Sequence, residues 1–223
     1  MLISGLKTIL SGHNVMRILE GLGTTVSISL IAIFFGTILG LILGSIWTAS
    51  SKWLNPLFKI YLEIFRIVPT IPLLFLFYYI LPRNFDFSFS AFQVSTLVFS
   101  LWFSAELSDI VRGAIKSVPK NQVESGYVIG LSGIQMYYYV LIPQALKNIL
   151  PAFINLSTRI IKTTSILLLI SVTDVVTVGQ QIIEANSQNS TIPILMYGVI
   201  AILYWIINAA LSFVSNMLEK KSI

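Results

Sequence analysis

Ionisable and hydroxyl side chains fall inside stretches of this chain that are otherwise apolar. Glu106 and Asp109 lie three residues apart and Arg112 follows after three more, so a helix carries all three on one broad face. Further on, Arg159 and Lys162 are again three apart and run into the hydroxyls of Thr163, Thr164 and Ser165. In hydrocarbon each charge costs at least about 2.5 to 3.5 kcal/mol, so each must face protein or water. Two acids and two bases on helices expected to be neighbours create opposed fields suited to a ligand carrying both charges, with the hydroxyls as hydrogen-bond partners. The same residues could instead pair across the helices and lock them together. Glu63 and Arg66 are also three apart, and here pairing within the helix is the preferred reading. One histidine, near the N-terminus, and no cysteine leave no imidazole cluster or thiolate for a metal.

The elements that must position these groups are set by composition. The 223 residues are 56% hydrophobic and 10% charged, with a mean hydropathy of +0.87, which excludes an ordinary soluble domain. Residues 22–47 hold no charge and can cross about 30 Å of hydrocarbon as a helix. Four more spans are expected, at 56–81, 87–112, 148–172 and 192–214, the first of them bent by Pro69 and Pro72. The fold class is therefore an all-α membrane protein with five transmembrane helices, residues 1–223 forming one domain. Gly36, Gly40 and Gly44 make a small-residue stripe suited to close helix packing. The start carries Lys7, Arg17 and Glu20 with no small-residue cleavage site nearby, and is expected to be retained as an amphipathic surface segment.

The surplus of fourteen Lys and Arg over nine Asp and Glu speaks to topology rather than to nucleic acid. Lys52 and Lys59 follow the first span. Arg112, Lys116, Lys120 and Lys147 follow the third, and Lys220 and Lys221 follow the last. These segments are expected in the cytoplasm, which puts the N-terminus outside and the C-terminus inside. The connection over about 117–143 is longer than a turn needs, and helical spacing follows Pro119.

Within it Glu124, Ser125 and Gly126 are followed after three residues by Gly130, and after nine more by Val140, Leu141, Ile142 and Pro143. This resembles the cytoplasmic loop signature of ABC importer permeases, in which Glu-Ala-Ala, three residues, Gly and nine residues lead to Ile, any residue, Leu and Pro. Ser125 and Gly126 stand at the two alanines, and Ile142 stands at the leucine. The flanks DIVRGAIKSVPKNQ, IPQALKNILPAF and IKTTSILLLI resemble the polar amino acid uptake branch. Two places depart from that branch. Glu106 stands where Tyr precedes the Glu and Arg-Gly of the usual motif, and Ile67 and Val68 stand where Gly-Thr follows the Arg.

The resemblance implies a type I importer permease subunit in a bacterial inner membrane. Its coupling helix, about 120–130, would dock on a separate ATPase subunit. Glu124 would serve as the charged anchor there, and Ser125, Gly126 and Gly130 would allow close approach. ATP and Mg would belong to that partner, because no G-x-x-x-x-G-K-[ST] loop occurs here and the subunit is expected to be non-catalytic, with no cofactor of its own. Further implied partners are a second permease subunit, identical or paralogous, and an extracytoplasmic substrate-binding protein. The ligand would be a polar amino acid, its ammonium held by Glu106 and Asp109 and its carboxylate by Arg159, beside Lys162, Thr163, Thr164 and Ser165. Two other classes stay in view: an ion-coupled secondary carrier, for which no paired repeat is seen, and an intramembrane enzyme using Glu106 and Asp109 as acid and base.

Overall fold

The computed structural model describes residues 2–85 and 89–222, and all regular structure among them is helical. In order these are α1 (Leu2–Ile9), α2 (Gly12–Ala49), α3 (Asn55–Ile67), α4 (Thr70–Phe75), α5 (Leu81–Phe85), α6 (Ala91–Lys116), α7 (Lys120–Val128), α8 (Gly133–Met136), α9 (Ile142–Thr163), α10 (Val175–Ala185) and α11 (Ile192–Ser222). Wider π turns join α4 to α5 at Leu76–Ile80 and α8 to α9 at Tyr137–Leu141, and a 3-10 stretch, Thr164–Ile170, continues α9. Four stretches among the described residues are long and apolar enough to cross a membrane: Gly12–Ala49, Ala91–Lys116, Gly133–Ile170 and Ile192–Phe213. The expected second span is a broken pair, Asn55–Ile67 and Thr70–Asn84. Asp86 and Phe87, beside and at the expected start of the third span, lie outside the described residues.

Prolines explain the irregularities. Val68 precedes Pro69 and is extended, at φ −69° and ψ 123°, because the proline ring excludes the helical region for the residue before it. Both π turns close directly before a proline. Leu81 N–H donates to Leu76 O ahead of Pro82, and Ile142 N–H donates to Tyr137 O ahead of Pro143. Widening the turn relieves the clash of the proline ring with the carbonyl four residues back. The second wide turn has a consequence for the expected loop at 117–143: its final third is already helical, since Ser132 and Gln135 form a capping box that starts α8.

The chain divides into two compact units. One comprises residues 1–32, 70–99 and 158–211, and the other residues 33–69, 100–157 and 212–223. The first unit packs Ile9 and Ile18 against Val175, Val178 and Ile182 of α10 and Met196 and Ile200 of α11. Gly21 permits this, since a Cβ there would lie 2.9 Å from Asp174 O. Arg17, expected on a surface segment, donates to Gln181 Oε1.

In the second unit the glycine stripe of α2 meets α6. Cβ atoms built at Gly36, Gly40 and Gly44 would come within 2.8 Å of Phe103, 2.8 Å of Leu107 and 2.7 Å of Ser108 O and Val111. Both numberings rise together, so these stretches run parallel and Ala49 and Lys116 end at the same side. α3 joins them through the Tyr61 hydroxyl, which donates to Leu101 O at 2.9 Å and lies 2.6 Å from Ser104 Oγ. Trp47 stacks on Phe58 at 5.5 Å.

Candidate functional site

The packing of α3 and the end of α2 against α6 builds a charge cluster in the second unit. Glu106 is buried, and its carboxylate accepts from Arg66 at 3.5 Å. Asp109 is the hub: it accepts from Arg66 at 3.2 Å and from Arg112 through Nη2 at 2.5 Å and Nε at 3.1 Å. The Arg112 guanidinium lies 4.6 Å from the Trp47 ring centre, a cation–π contact that leaves its fork free to hold the carboxylate. Two acids and two guanidiniums thus alternate in one network, so charge is balanced where desolvation is costly. The expected pairing of Arg66 with Glu63 gives way to pairs with Glu106 and Asp109. Three-residue spacing puts Glu63 and Arg66 near each other, yet α6 presents two carboxylates to the same guanidinium. The preferred reading of Glu63 and Arg66 as a local pair is therefore corrected.

The other expected substrate residues belong to the first unit. Arg159 and Lys162 are exposed on α9. The hydroxyls sit where the α-helix tightens to 3-10, and each donates to a carbonyl three or four residues back: Thr163 to Arg159 at 2.9 Å, Thr164 to Ile161 at 2.7 Å and Ser165 to Lys162 at 2.9 Å. Thr164 is buried and also lies 3.1 Å from the Tyr204 hydroxyl, which makes it a packing group of this unit. A buried acid that the sequence reading passed over follows this turn. Asp174 caps α10, accepting from Thr177 N–H at 2.9 Å and Thr177 Oγ1 at 2.7 Å, while its other oxygen is buried without a partner. Burial pushes its carboxyl above the usual carboxylate range, the Thr177 bonds offsetting part of the shift. An Asp followed after two residues by Thr, ahead of an apolar helical run, was the available signal.

The cytoplasm-expected segment forms a compact cap-to-cap unit. Pro119 precedes α7, whose end is closed by Gly130 N–H to Tyr127 O and Leu131 N–H to Gly126 O, both 3.0 Å. Gly130 holds φ +86°, the left-handed residue that this double bond requires. Gly126 is buried beneath Met136, whose terminal methyl would have to move aside for a Cβ there. Glu124 and Ser125 are exposed, and Tyr127, Val128 and Ile129 stand out beside them, the latter two 86% and 76% exposed. Glu124 also edges a cleft of about 380 Å³ with Lys116 and Lys120. This short capped helix thus shows an acid beside several bare apolar side chains.

The family model described as binding-protein-dependent transport system inner membrane component matches residues 17–223. The glutamine transport system permease protein GlnP of Escherichia coli is 30% identical over 205 residues, covering 92% of this chain and 92% of that protein. The L-cystine transport system permease protein TcyB of Bacillus subtilis is 31% identical over 201 residues, covering 90% and 84%. A chain in the crystal structure of an amino acid ABC transporter with histidines matches with a TM-score of 0.85 at 25% identity, over 99% of this chain and 98% of that one.

Proposed function

Because this chain belongs to the family of binding-protein-dependent transport system inner membrane components, it is a multi-pass permease subunit of an ABC importer, and we propose that its cargo is a polar amino acid. Subunits of this kind are non-catalytic. The names of the relatives, which transport glutamine or cystine, support the amino acid reading. A partner that docks on α7 binds ATP with Mg and hydrolyses the ATP, an extracytoplasmic binding protein delivers the cargo, and a second permease subunit completes the path. Residues 1–223 act as one permease domain with the N-terminus outside and the C-terminus in the cytoplasm, as the lysines after α2 and α6 favour.

Glu106 and Asp109 contribute a negative field suited to the cargo ammonium; in the other unit exposed Arg159 and Lys162 offer positive charge suited to a carboxylate, while the protons of Thr163, Thr164 and Ser165 are spent on carbonyls of their own helix. Arg66 and Arg112 pair with the acids until cargo competes for them. The single observation that carries the coupling role is the capped helix α7 with Glu124 exposed among bare apolar side chains. ATP hydrolysis by the reconstituted complex, measured across a panel of amino acids with candidate binding proteins, tests the whole reading. Stimulation by one amino acid supports it and names the cargo. If no ATPase is recruited, or no amino acid stimulates hydrolysis, the reading fails. The variant Glu124→Arg should abolish recruitment, and unchanged recruitment would remove the docking role from α7.

A further inference from the structure

A cleft of about 310 Å³ opens in the second unit between α3 and the ends of α2 and α6, and its lining includes Trp47, Lys59, Glu63, Arg66, Arg112 and Lys116. Its depth follows from the parallel packing of α2 on α6. Trp47 lies two residues before the end of α2, and Lys116 is the last residue of α6 at the same side, the level at which a crossing chain meets the headgroups. Arg66 and Arg112 are committed to Glu106 and Asp109. Lys59, Glu63 and Lys116 are exposed in the cleft and make no ion pair among the described residues, so its unspent charge is two ammonium groups against one carboxylate, a net positive charge.

α3 divides into three stripes of helical spacing. Phe58, Leu62 and Phe65 turn into the unit, Lys59, Glu63 and Arg66 turn to the cleft, and Leu57, Ile60, Ile64 and Ile67 are exposed. The bare apolar stripe lies next to the charged one, about a third of a turn away. A cation pair at headgroup level, continued by an exposed apolar stripe, has the amphiphilic pattern of a lipid rather than of a small soluble anion.

We propose that this cleft holds an anionic phospholipid, its phosphate between Lys59 and Lys116 and an acyl chain along Leu57, Ile60, Ile64 and Ile67. Glu63 offers an acceptor to hydroxyls beyond the phosphate. The site requires that the chain crosses a membrane and is independent of the cargo.

The test uses the intact transporter complex in vesicles of equal phosphatidylglycerol and phosphatidylcholine. The complex is extracted in mild detergent and its retained lipids are weighed by native mass spectrometry. Each lysine near the surface contributes roughly fivefold, so wild type should retain phosphatidylglycerol over phosphatidylcholine by about twenty-five-fold. Lys59→Gln with Lys116→Gln should bring the ratio close to one, Lys59→Gln alone should lower it about fivefold, and Lys59→Arg with Lys116→Arg should preserve it. Ile60→Ser with Ile64→Ser should lower retention while leaving weak binding of inorganic phosphate. No preference in wild type, or a preference untouched by loss of both lysines, would overturn the proposal. So would displacement of the lipid by millimolar inorganic phosphate together with no effect of the serine variants, which marks a free-anion site. Ready disulfide cross-linking of Ile64→Cys between two copies in the membrane would overturn it as well, by giving the stripe to a subunit contact.

Discussion

Alanine at Gly44 and alanine at Gly23 make the same chemical change on the same helix, and the structure assigns them opposite signs. A Cβ at Gly44 would stand 2.7 Å from Ser108 O and 2.7 Å from Val111 Cβ. Carbon contacts settle near 3.5 to 4.0 Å, so the overlap is roughly 1 Å on two atoms at once. One of them is a backbone oxygen of α6 and cannot swing aside. The α2 and α6 backbones must part locally, and this also loosens the contacts at Gly40 and Gly36. Overpacking of this kind costs roughly 1 to 3 kcal/mol, while alanine in place of glycine returns about 1 kcal/mol of helix propensity. The net change at Gly44 is a loss of roughly 0 to 2 kcal/mol. Nothing lies within 4 Å of a Cβ at Gly23, so Gly23→Ala keeps the propensity gain alone. The difference between the two variants is therefore roughly 1 to 3 kcal/mol, or on the order of 2 to 10 °C in melting temperature at this chain length. Thermal unfolding of both purified variants in the same lipid nanodiscs, followed by size-exclusion elution, reads it directly. If Gly44→Ala melts at or above Gly23→Ala, the close parallel packing of α2 on α6 is wrong.

Further outcomes follow from single residues. Glu106→Gln should lower transport by tenfold or more without lowering membrane insertion, by weakening both the Arg66 pair and the field for an ammonium; unchanged transport would take Glu106 out of the cargo path. Gly130→Val should weaken the end of α7 by about 1 to 3 kcal/mol, because a β-branched residue at φ +86° is strained. Hydrogen exchange of α7 should then rise while exchange in α6 stays the same. Asp174 is neutralised more readily when folded than when unfolded, since burial raises its carboxyl. The folded state therefore binds this proton more tightly, and stability is greatest below the ordinary carboxylate range and falls as pH rises through it towards the raised value. Asp174→Asn keeps a capping side chain and removes that slope, so its melting temperature between about pH 4 and 7 should be flatter than that of wild type. An identical slope in both would show that Asp174 is charged in the folded protein.

Sequence alone determined the local and periodic features of this protein. Uncharged runs of twenty or more residues define crossing helices because the bilayer core has one thickness, and this holds however the helices later pack. Pro69 marks the break after α3, since its ring acts on the residue next to it. The spacing from Glu124 to Pro143 was legible for the same reason, being a motif of a single stretch of chain. Tertiary structure decided the choice of partner. Arg66 had Glu63 within one turn, yet its pairs run to Glu106 and Asp109, 40 and 43 residues away, because pairing energy depends on which carboxylates the neighbouring helix brings to the same partly desolvated place. The burial of Asp174 and the free pair Lys59 and Lys116 were hidden likewise. A one-dimensional pattern reports which residues share a face, but not what stands opposite that face, and charge and burial are set by what stands opposite.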